Sequence, residues 1–310
     1  MNVSVTGLGT LTNRIGSASS KNPTINRVES ISHIQHCNAA KSIDTTSLTS
    51  INNKLLHYKR SGEFSGPPIV FVHGLGGSAE FFTPLISSLS LERSHSVHVF
   101  DWESHGLSPS SPLSKISIQS LAEDLNGVVS KADTELGVTL VAHSMGCLIA
   151  VQFALTHPEK VSKLVLLGPP PSPLPEADST ATHARAETVR MQGMHAVVDA
   201  VATAGTSEAT KSSNPLAVAA VRMSLLGQDP EGYAKACTAL AEAPALDFAA
   251  LRPKTLIITG SEDKVSPPQL CEKYVEDLQG RASLQVLQNV GHWHVFEDVQ
   301  GTASAIEGFL

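Results

Sequence analysis

A serine, a carboxylate and a histidine, far apart in this sequence, could together carry out acyl transfer. The serine is Ser144, which lies in residues 141–150, an apolar stretch interrupted only by His-Ser-Met-Gly. A serine hydroxyl is a weak nucleophile until a base accepts its proton, and the base needs an acid that orients it. The question is whether the chain offers both groups at positions that can meet Ser144.

The surroundings of Ser144 predict a tight turn between a strand and a helix. Residues 138–142 are typical of a buried strand, and Met145 begins an apolar helix. Such a turn strains its central residue and requires small neighbours, here Ala142 and Gly146, in a G-x-S-x-G pattern whose first glycine is alanine. The turn would expose the Ser144 hydroxyl and leave the Met145 N–H free to bind an oxyanion. A helix N-cap serine is the plain alternative.

The candidate acid and base each follow a predicted strand. Asp263 stands three residues after Gly260, in a polar turn, with Glu262 as the neighbouring alternative. His292 follows the last strand, and His294 competes with it. The chain has 13 histidines, so a single one means little. The order serine, acid, histidine, each at a strand end, favours Asp263 and His292.

A glycine-rich loop, His73-Gly-Leu-Gly-Gly-Ser78, follows another predicted strand. Its glycines would let a backbone N–H, that of Leu75, approach a developing oxyanion. A phosphate-binding loop is disfavoured because neither the GxxxxGK[ST] nor the GxGxxG pattern is present. We expect His73 to order the loop rather than to act as a base.

These residues must be positioned by alternating strands and helices. Short apolar runs predict six strands, several buried on both faces, at residues 69–72, 97–100, 138–141, 164–167, 256–259 and 284–287. Helical segments are predicted at residues 118–129, 145–155 and 267–278. This alternation predicts a mostly parallel sheet covered on both faces. Residues 169–251 contain no convincing strand and predict a helical insertion at the ligand-binding end of the sheet.

Bulk properties restrict the class of protein. The 310 residues carry a net charge of −7 without a dense Lys/Arg run, which argues against nucleic-acid and membrane partners. Cysteines 37, 147, 237 and 271 lack a paired metal spacing, as in a reduced intracellular protein, so a cytoplasmic location without metal or cofactor is predicted. The Ser-rich, basic residues 1–43 are interpreted as a disordered extension, with a mitochondrial transit peptide as the alternative.

Taken together, these motifs resemble the α/β-hydrolase superfamily over residues 55–310. The resemblance includes the glycine-rich loop, residues 101–108 as the D-x-x-G-x-G-x-S loop with shifted spacing, the Ser144 turn, the Asp263 turn and His292. It implies the α/β-hydrolase fold and a serine-nucleophile branch, since related dehalogenases and epoxide hydrolases use aspartate. Residues 229–240 weakly resemble 3-oxoadipate enol-lactonases, although those more often have glycine at positions 142 and 147, where this chain has alanine and cysteine.

The resemblance and the residues predict a serine hydrolase of small esters or lactones. Its core would comprise residues 44–168 and 252–310, and residues 169–251 would form a helical lid after the sixth core strand. A carbon–carbon bond hydrolase, a non-hydrolytic lyase or isomerase, and a small-molecule receptor remain alternatives, because a fold does not fix a function. The substrate and the oligomeric state stay open.

Overall fold

A computed structural model describes residues 48–132 and 137–310. Eight strands form one sheet in the order β1-β2-β4-β3-β5-β6-β7-β8. The strands are β1 Leu48–Ile51, β2 Lys54–Gly62, β3 Pro68–Val72, β4 Ser96–Phe100, β5 Val138–His143, β6 Val161–Leu167, β7 Lys254–Gly260 and β8 Ala282–Leu287. From β4 to β8 every neighbouring pair is parallel, whereas β1 and β2 pair antiparallel at one edge. The prediction of a mostly parallel sheet is confirmed.

Helices occupy the segments between the strands. Within the described residues they are α1 Thr83–Ser88, α2 Ile118–Val129, α3 Met145–Thr156, α4 Glu176–Gln192, α5 Val198–Gly205, α6 Glu208–Ser213, α7 Pro215–Leu226, α8 Pro230–Ala241, α9 Pro268–Asp277, α10 His294–Glu297 and α11 Val299–Glu307. Helix α2 has the predicted bounds because Ser117 caps it, its side chain accepting the Ser120 N–H at 3.0 Å. Helix α3 is one residue longer than predicted, and α9 one shorter at each end.

The apolar core lies on both faces of the sheet. Neighbouring residues of β3 alternate between two clusters, with Val70 and Val72 in one and Ile69 and Phe71 in the other. Helices α2, α3 and α9 cover the first face, and α1 and α11 contribute to the second. A strand buried on both sides has no polar face, which explains the continuous apolar runs of the sequence.

The β1–β2 hairpin is a feature that the sequence analysis missed. Ile51 pairs with Lys54, and the two loop residues Asn52 and Asn53 have φ angles of 48° and 62°. This is the geometry of a two-residue type I′ turn, which asparagine tolerates. The Asn-Asn pair was the available signal.

Five helices, α4 to α8, lie between β6 and β7, and residues 169–251 contain no strand. Residues 1–43, for which a disordered extension or a transit peptide was predicted, lie outside the described residues. No helix among the described residues combines the length and the apolar character needed to cross a membrane.

Candidate active site

Ser144 occupies a strained turn between β5 and α3. Its φ and ψ angles are 52° and −124°, outside the regions that a non-glycine residue ordinarily occupies. A Cβ atom on Gly146 would lie 2.4 Å from the backbone oxygens of both Val72 and His73, so this position needs glycine. Ala142 is fully buried at the end of β5. The turn therefore presents Ser144 beyond the carboxyl end of the strand, as the sequence predicts.

Ser144, His292 and Asp263 form a continuous hydrogen-bonded chain. His292 Nε2 lies 2.7 Å from Ser144 Oγ, and His292 Nδ1 lies 2.9 Å from Asp263 Oδ2. All three side chains are buried, with Ser144 9% and His292 7% exposed, so each keeps only a small accessible surface. A neutral imidazole with its proton on Nδ1 can donate to the carboxylate and accept the serine proton on Nε2.

The two alternatives from the sequence lie in different environments. The Glu262 carboxylate accepts the backbone N–H of Glu208 at 2.9 Å, in the helical insertion. His294 Nε2 lies 3.5 Å from Asp263 Oδ2, but neither of its ring nitrogens has a hydrogen-bond partner among the described residues. Burial lowers the pKa of His294 to about 4, which keeps the ring neutral. Asp263 and His292 are thus the pair that reaches Ser144.

Asp263 is held by its own turn. Its Oδ1 accepts the backbone N–H groups of Val265 and Ser266 at 2.9 and 2.8 Å, which leaves Oδ2 for His292. Burial alone would raise the pKa of Asp263, but the charge and hydrogen bond of His292 outweigh it and hold that pKa well below its ordinary value. The acid is therefore a carboxylate near neutral pH.

The loop that carries His292 is fixed by a second carboxylate, Glu297. Glu297 Oε2 accepts the Gly291 N–H at 3.0 Å, and Oε1 accepts the Trp293 N–H at 3.0 Å. The same carboxylate accepts the N–H of Ser207 in the insertion at 2.9 Å. These bonds hold the residues on both sides of His292. The sequence analysis missed Glu297, for which its position five residues after His292 gave no distinctive signal.

Two glycines allow the close approaches that the site requires. A Cβ atom on Gly74 would lie 2.9 Å from both Ser144 Cβ and the His143 backbone oxygen, so the glycine-rich loop directly contacts the Ser144 turn. Gly168, at the end of β6, has a φ angle of 60°, and its Cβ would lie 3.0 Å from Asp263 Oδ2 and 3.1 Å from His292 Cε1. The sequence analysis did not identify Gly168, because nothing local indicates that close contact.

The predicted oxyanion donors lie on the two segments that Gly74 brings together. Met145 is the first residue of α3, where a helix leaves its N–H groups without intrahelical acceptors. In the glycine-rich loop, Gly76 N–H donates to His105 and Gly77 N–H to Gly74, while the Leu75 N–H has no acceptor among the described residues. Both amides are thus available to a ligand.

His73 supports this loop in the neutral form. Its Nδ1 lies 2.9 Å from the Gly74 oxygen, and its Nε2 accepts the Trp102 N–H at 3.3 Å. Burial lowers the pKa of His73 to about 4. The following loop is organised by Asp101, whose carboxylate accepts the N–H groups of Ala79 and Leu107 at 2.6 and 2.8 Å. Both side chains order backbone rather than face Ser144.

A cavity of about 290 Å³ opens at Ser144. Its apolar walls come from Pro170, Pro171, Leu174, Ala181, Leu240 and Val265. Asp178, Thr182, Arg185 and Lys264 add polar groups. The volume is at the lower end of the roughly 300–1,000 Å³ typical of ligand pockets, so the site suits a small molecule. Most of the lining belongs to residues 169–251.

The parallel sheet and the strand–turn–helix geometry at Ser144 are typical of α/β hydrolases, and the comparison with protein families gives the same class. The alpha/beta hydrolase fold family matches residues 67–299, so the chain belongs to that family.

Two relatives match this chain over different lengths. The 3-oxoadipate enol-lactonase 2 of Acinetobacter baylyi is 27% identical over 82% of this chain and 92% of its own length. RutD of Variovorax paradoxus is 35% identical, but the match spans 36% of this chain and only 41% of that protein.

Solved structures share the fold. A thermophilic esterase from Thermogutta terrifontis, with malate bound, has a TM-score of 0.77 at 24% identity and covers 85% of this chain and 96% of its own. The enol-lactonase from Burkholderia xenovorans LB400 has a TM-score of 0.73 at 23% identity, over 84% and 98% of the two chains. The predicted fold and the resemblance to enol-lactonases are confirmed.

Proposed function

We propose that the chain is a serine hydrolase that cleaves small esters or lactones through an acyl-enzyme on Ser144. The observation that carries the proposal is the hydrogen-bonded chain from Ser144 through His292 to Asp263, with Ser144 lining a cavity. The esterase and enol-lactonase names of the relatives agree with this reaction class.

In the first step, Ser144 Oγ attacks the carbonyl carbon while its proton passes to His292 Nε2. The carbonyl oxygen becomes an oxyanion, which the N–H groups of Leu75 and Met145 stabilise. Asp263 fixes the His292 tautomer and stabilises the imidazolium. The bond to the leaving oxygen then breaks, and His292 gives that oxygen the proton. In a lactone, the released alcohol stays attached to the acyl group.

In the second step, water attacks the acyl carbon and gives its proton to His292. The new tetrahedral intermediate uses the same oxyanion donors. Its collapse breaks the bond to Ser144 Oγ, which recovers the proton from His292. An ester yields the alcohol, released in the first step, and the free acid, whereas a lactone yields one hydroxy acid, and the enzyme returns to its starting state without a cofactor.

The insertion of residues 169–251 acts as a lid in this proposal. It provides most of the cavity lining, and it is tied to the His292 loop through Glu297, which accepts the Ser207 N–H. An apolar cover excludes water and strengthens the electrostatic interactions at Ser144. The acyl group would lie against Pro170, Leu174 and Leu240.

A substrate panel tests the proposal. Purified full-length protein and the Ser144→Ala variant are assayed with lactones, p-nitrophenyl esters and vinylogous 1,5-diketones. We expect hydrolysis of a lactone or ester, lost by several orders of magnitude in Ser144→Ala. Turnover of only the diketones would indicate carbon–carbon bond hydrolysis. Binding without turnover of any compound would indicate a receptor or a non-hydrolytic enzyme, and the proposal would be wrong.

A further inference from the structure

The cavity at Ser144 contains a cation for which the described part of the chain supplies no paired counter-charge. Arg185 lies on α4 and lines the cavity together with Thr182, one turn earlier on the same helix. Within residues 48–132 and 137–310, no carboxylate lies within ion-pair distance of its guanidinium. The Asp178 carboxyl lines the same cavity without pairing with it.

The hydrogen-bonding capacity of Arg185 is also largely unused. Its Nε is buried and has no partner among the described residues, and its Nη2 lies 3.5 Å from Thr182 Oγ1, at the long limit of a hydrogen bond. Its other neighbours on α8 are Tyr233 and the Cys237 thiol, which is a hydrogen-bond partner of the guanidinium. Burial raises the pKa of both, so both stay neutral near pH 7 and supply no charge.

A guanidinium that is partly removed from water and has no carboxylate beside it is energetically costly, because only an opposite charge or hydrogen bonds offset the loss of hydration. Its planar donors match a carboxylate, which can accept two of them at once. Lys264, beside Asp263, is a second cation in the lining. The lining therefore holds two cations and one carboxylate, in a chain whose overall net charge is −7.

We infer that Arg185 is a subsite for a carboxylate on the acyl part of the substrate, which makes the substrate an anionic ester or lactone. This inference rests on the proposed hydrolase function, because the acyl group must reach Ser144. In the complex, the substrate carboxylate would accept hydrogen bonds from the guanidinium while the reacting carbonyl lies at Ser144. Arg185 is then a specificity residue and takes no part in the proton transfers.

The kinetic test uses two esters that differ only in charge. Monoethyl succinate carries the carboxylate, and ethyl isocaproate replaces it with an isopropyl group. Both are followed in a pH-stat with wild-type protein and the Arg185→Gln variant. We expect Arg185→Gln to lower kcat/KM for monoethyl succinate by about ten- to hundred-fold and to leave ethyl isocaproate nearly unchanged, since a hydrogen bond to a charged group contributes on that scale.

Two further variants serve as controls. Arg190→Gln removes the same charge from the same helix, but Arg190 pairs with Glu231 and does not line the cavity, so we expect wild-type selectivity. Arg185→Lys keeps the charge without the planar fork and should retain part of the preference. The inference would be overturned if Arg185→Gln lowered kcat/KM equally for both esters. It would also be overturned if Arg190→Gln abolished the preference for monoethyl succinate.

A binding measurement separates this inference from the hydrolase proposal. Calorimetry compares the binding of monoethyl succinate to Ser144→Ala and to Ser144→Ala with Arg185→Gln. Binding that depends on Arg185 supports the subsite even if no ester is hydrolysed, in which case only the hydrolase proposal fails. Equal binding to the two variants, or no binding to either, contradicts the subsite even if ethyl isocaproate is hydrolysed.

Discussion

His143, the residue before Ser144, is hydrogen-bonded through Nε2 to the backbone oxygen of His292 at 2.8 Å. The acceptor is a carbonyl, so Nε2 must carry the proton. The ring stacks on Phe81 with centroids 4.4 Å apart. Burial lowers the pKa of His143 well below its ordinary value, which keeps the ring neutral. Through this hydrogen bond, His143 ties the Ser144 turn to the His292 loop.

This contact predicts that His143 positions His292. His143→Phe keeps an aromatic ring against Phe81 but leaves the His292 carbonyl without its donor, which costs about 1–3 kcal/mol. We expect kcat on a cognate ester to fall about tenfold with KM unchanged, and urea unfolding to show the loss of stability. His143→Gln retains a donor at a similar reach and should recover much of kcat. Equal kcat in His143→Phe and wild type would contradict a positioning role.

The close packing of Gly168 against Asp263 and His292 can be tested by adding a methyl group at position 168. Gly168→Ala adds a methyl group 3.0 Å from Asp263 Oδ2 and 2.8 Å from His294 Cε1, at a φ angle of 60°. We expect kcat to fall at least tenfold, because these groups must shift. Gly280→Ala is the matched control, since Gly280 has a φ angle of 84° but nothing within 4 Å of the added atom. That variant should lose about 1 kcal/mol of stability and no activity. Equal kcat for both variants would contradict this interpretation.

The sequence predicted an element correctly where the residues that determine it lie within one short segment. Helix α2 has helical apolar spacing and a capping serine, so its bounds follow from residues 117–129. The order of Ser144, Asp263 and His292 was readable because each follows a strand that the sequence predicts. Strands β5 and β7 are largely buried, whereas β8, at the sheet edge, is partly exposed. Strands β1 and β2 were missed because they are partly exposed and lack a continuous apolar run.

Other parts of the site depend on contacts between distant segments. The His143 contact joins residues 149 positions apart, and Gly168 faces side chains from two other loops. Arg185 lies in an Ala-rich helix whose sequence does not reveal which face lines the cavity. Only the packed structure brings these groups together.

Substitutions of the neighbouring carboxylates Asp263 and Glu262 test whether Asp263 is the residue that orients His292. Asp263→Asn removes the charge that orients His292, and we expect kcat to fall about 10³- to 10⁴-fold, as in related serine–histidine–aspartate systems. Glu262→Gln makes the same chemical change one residue away, where the side chain accepts the Glu208 N–H, and should lower kcat less than about threefold. Steady-state assays of both variants on a cognate ester measure these losses in kcat. A larger loss in Glu262→Gln would reverse the assignment.

Buried neutral histidines predict that acid weakens the fold. Burial lowers the pKa of His73, His98 and His294 to about 4 and that of His105 to about 3. Between about pH 6.5 and pH 4 the unfolded chain binds protons that the folded chain does not, so stability falls as pH falls. His57 acts oppositely, because its hydrogen bond to Asp101 raises its pKa, but it is one group against these four histidines and His143, whose pKa burial also lowers.

Urea unfolding at about pH 7 and about pH 5 measures this effect. The free energy of unfolding should decrease on acidification by about 1.4 kcal/mol per pH unit for each histidine that takes up a proton only on unfolding. A free energy that stays constant or rises between the two pH values would contradict neutral burial of these rings.

Covalent labelling shows whether Ser144 is the nucleophile. Intact-mass and peptide mass spectrometry after reaction with a fluorophosphonate should find one adduct, on Ser144, in the wild-type protein. Ser144→Ala should remain unlabelled, and His292→Ala should react far more slowly because the serine proton has no acceptor. An unlabelled wild-type protein, or an adduct on another residue that persists in Ser144→Ala, would contradict the account.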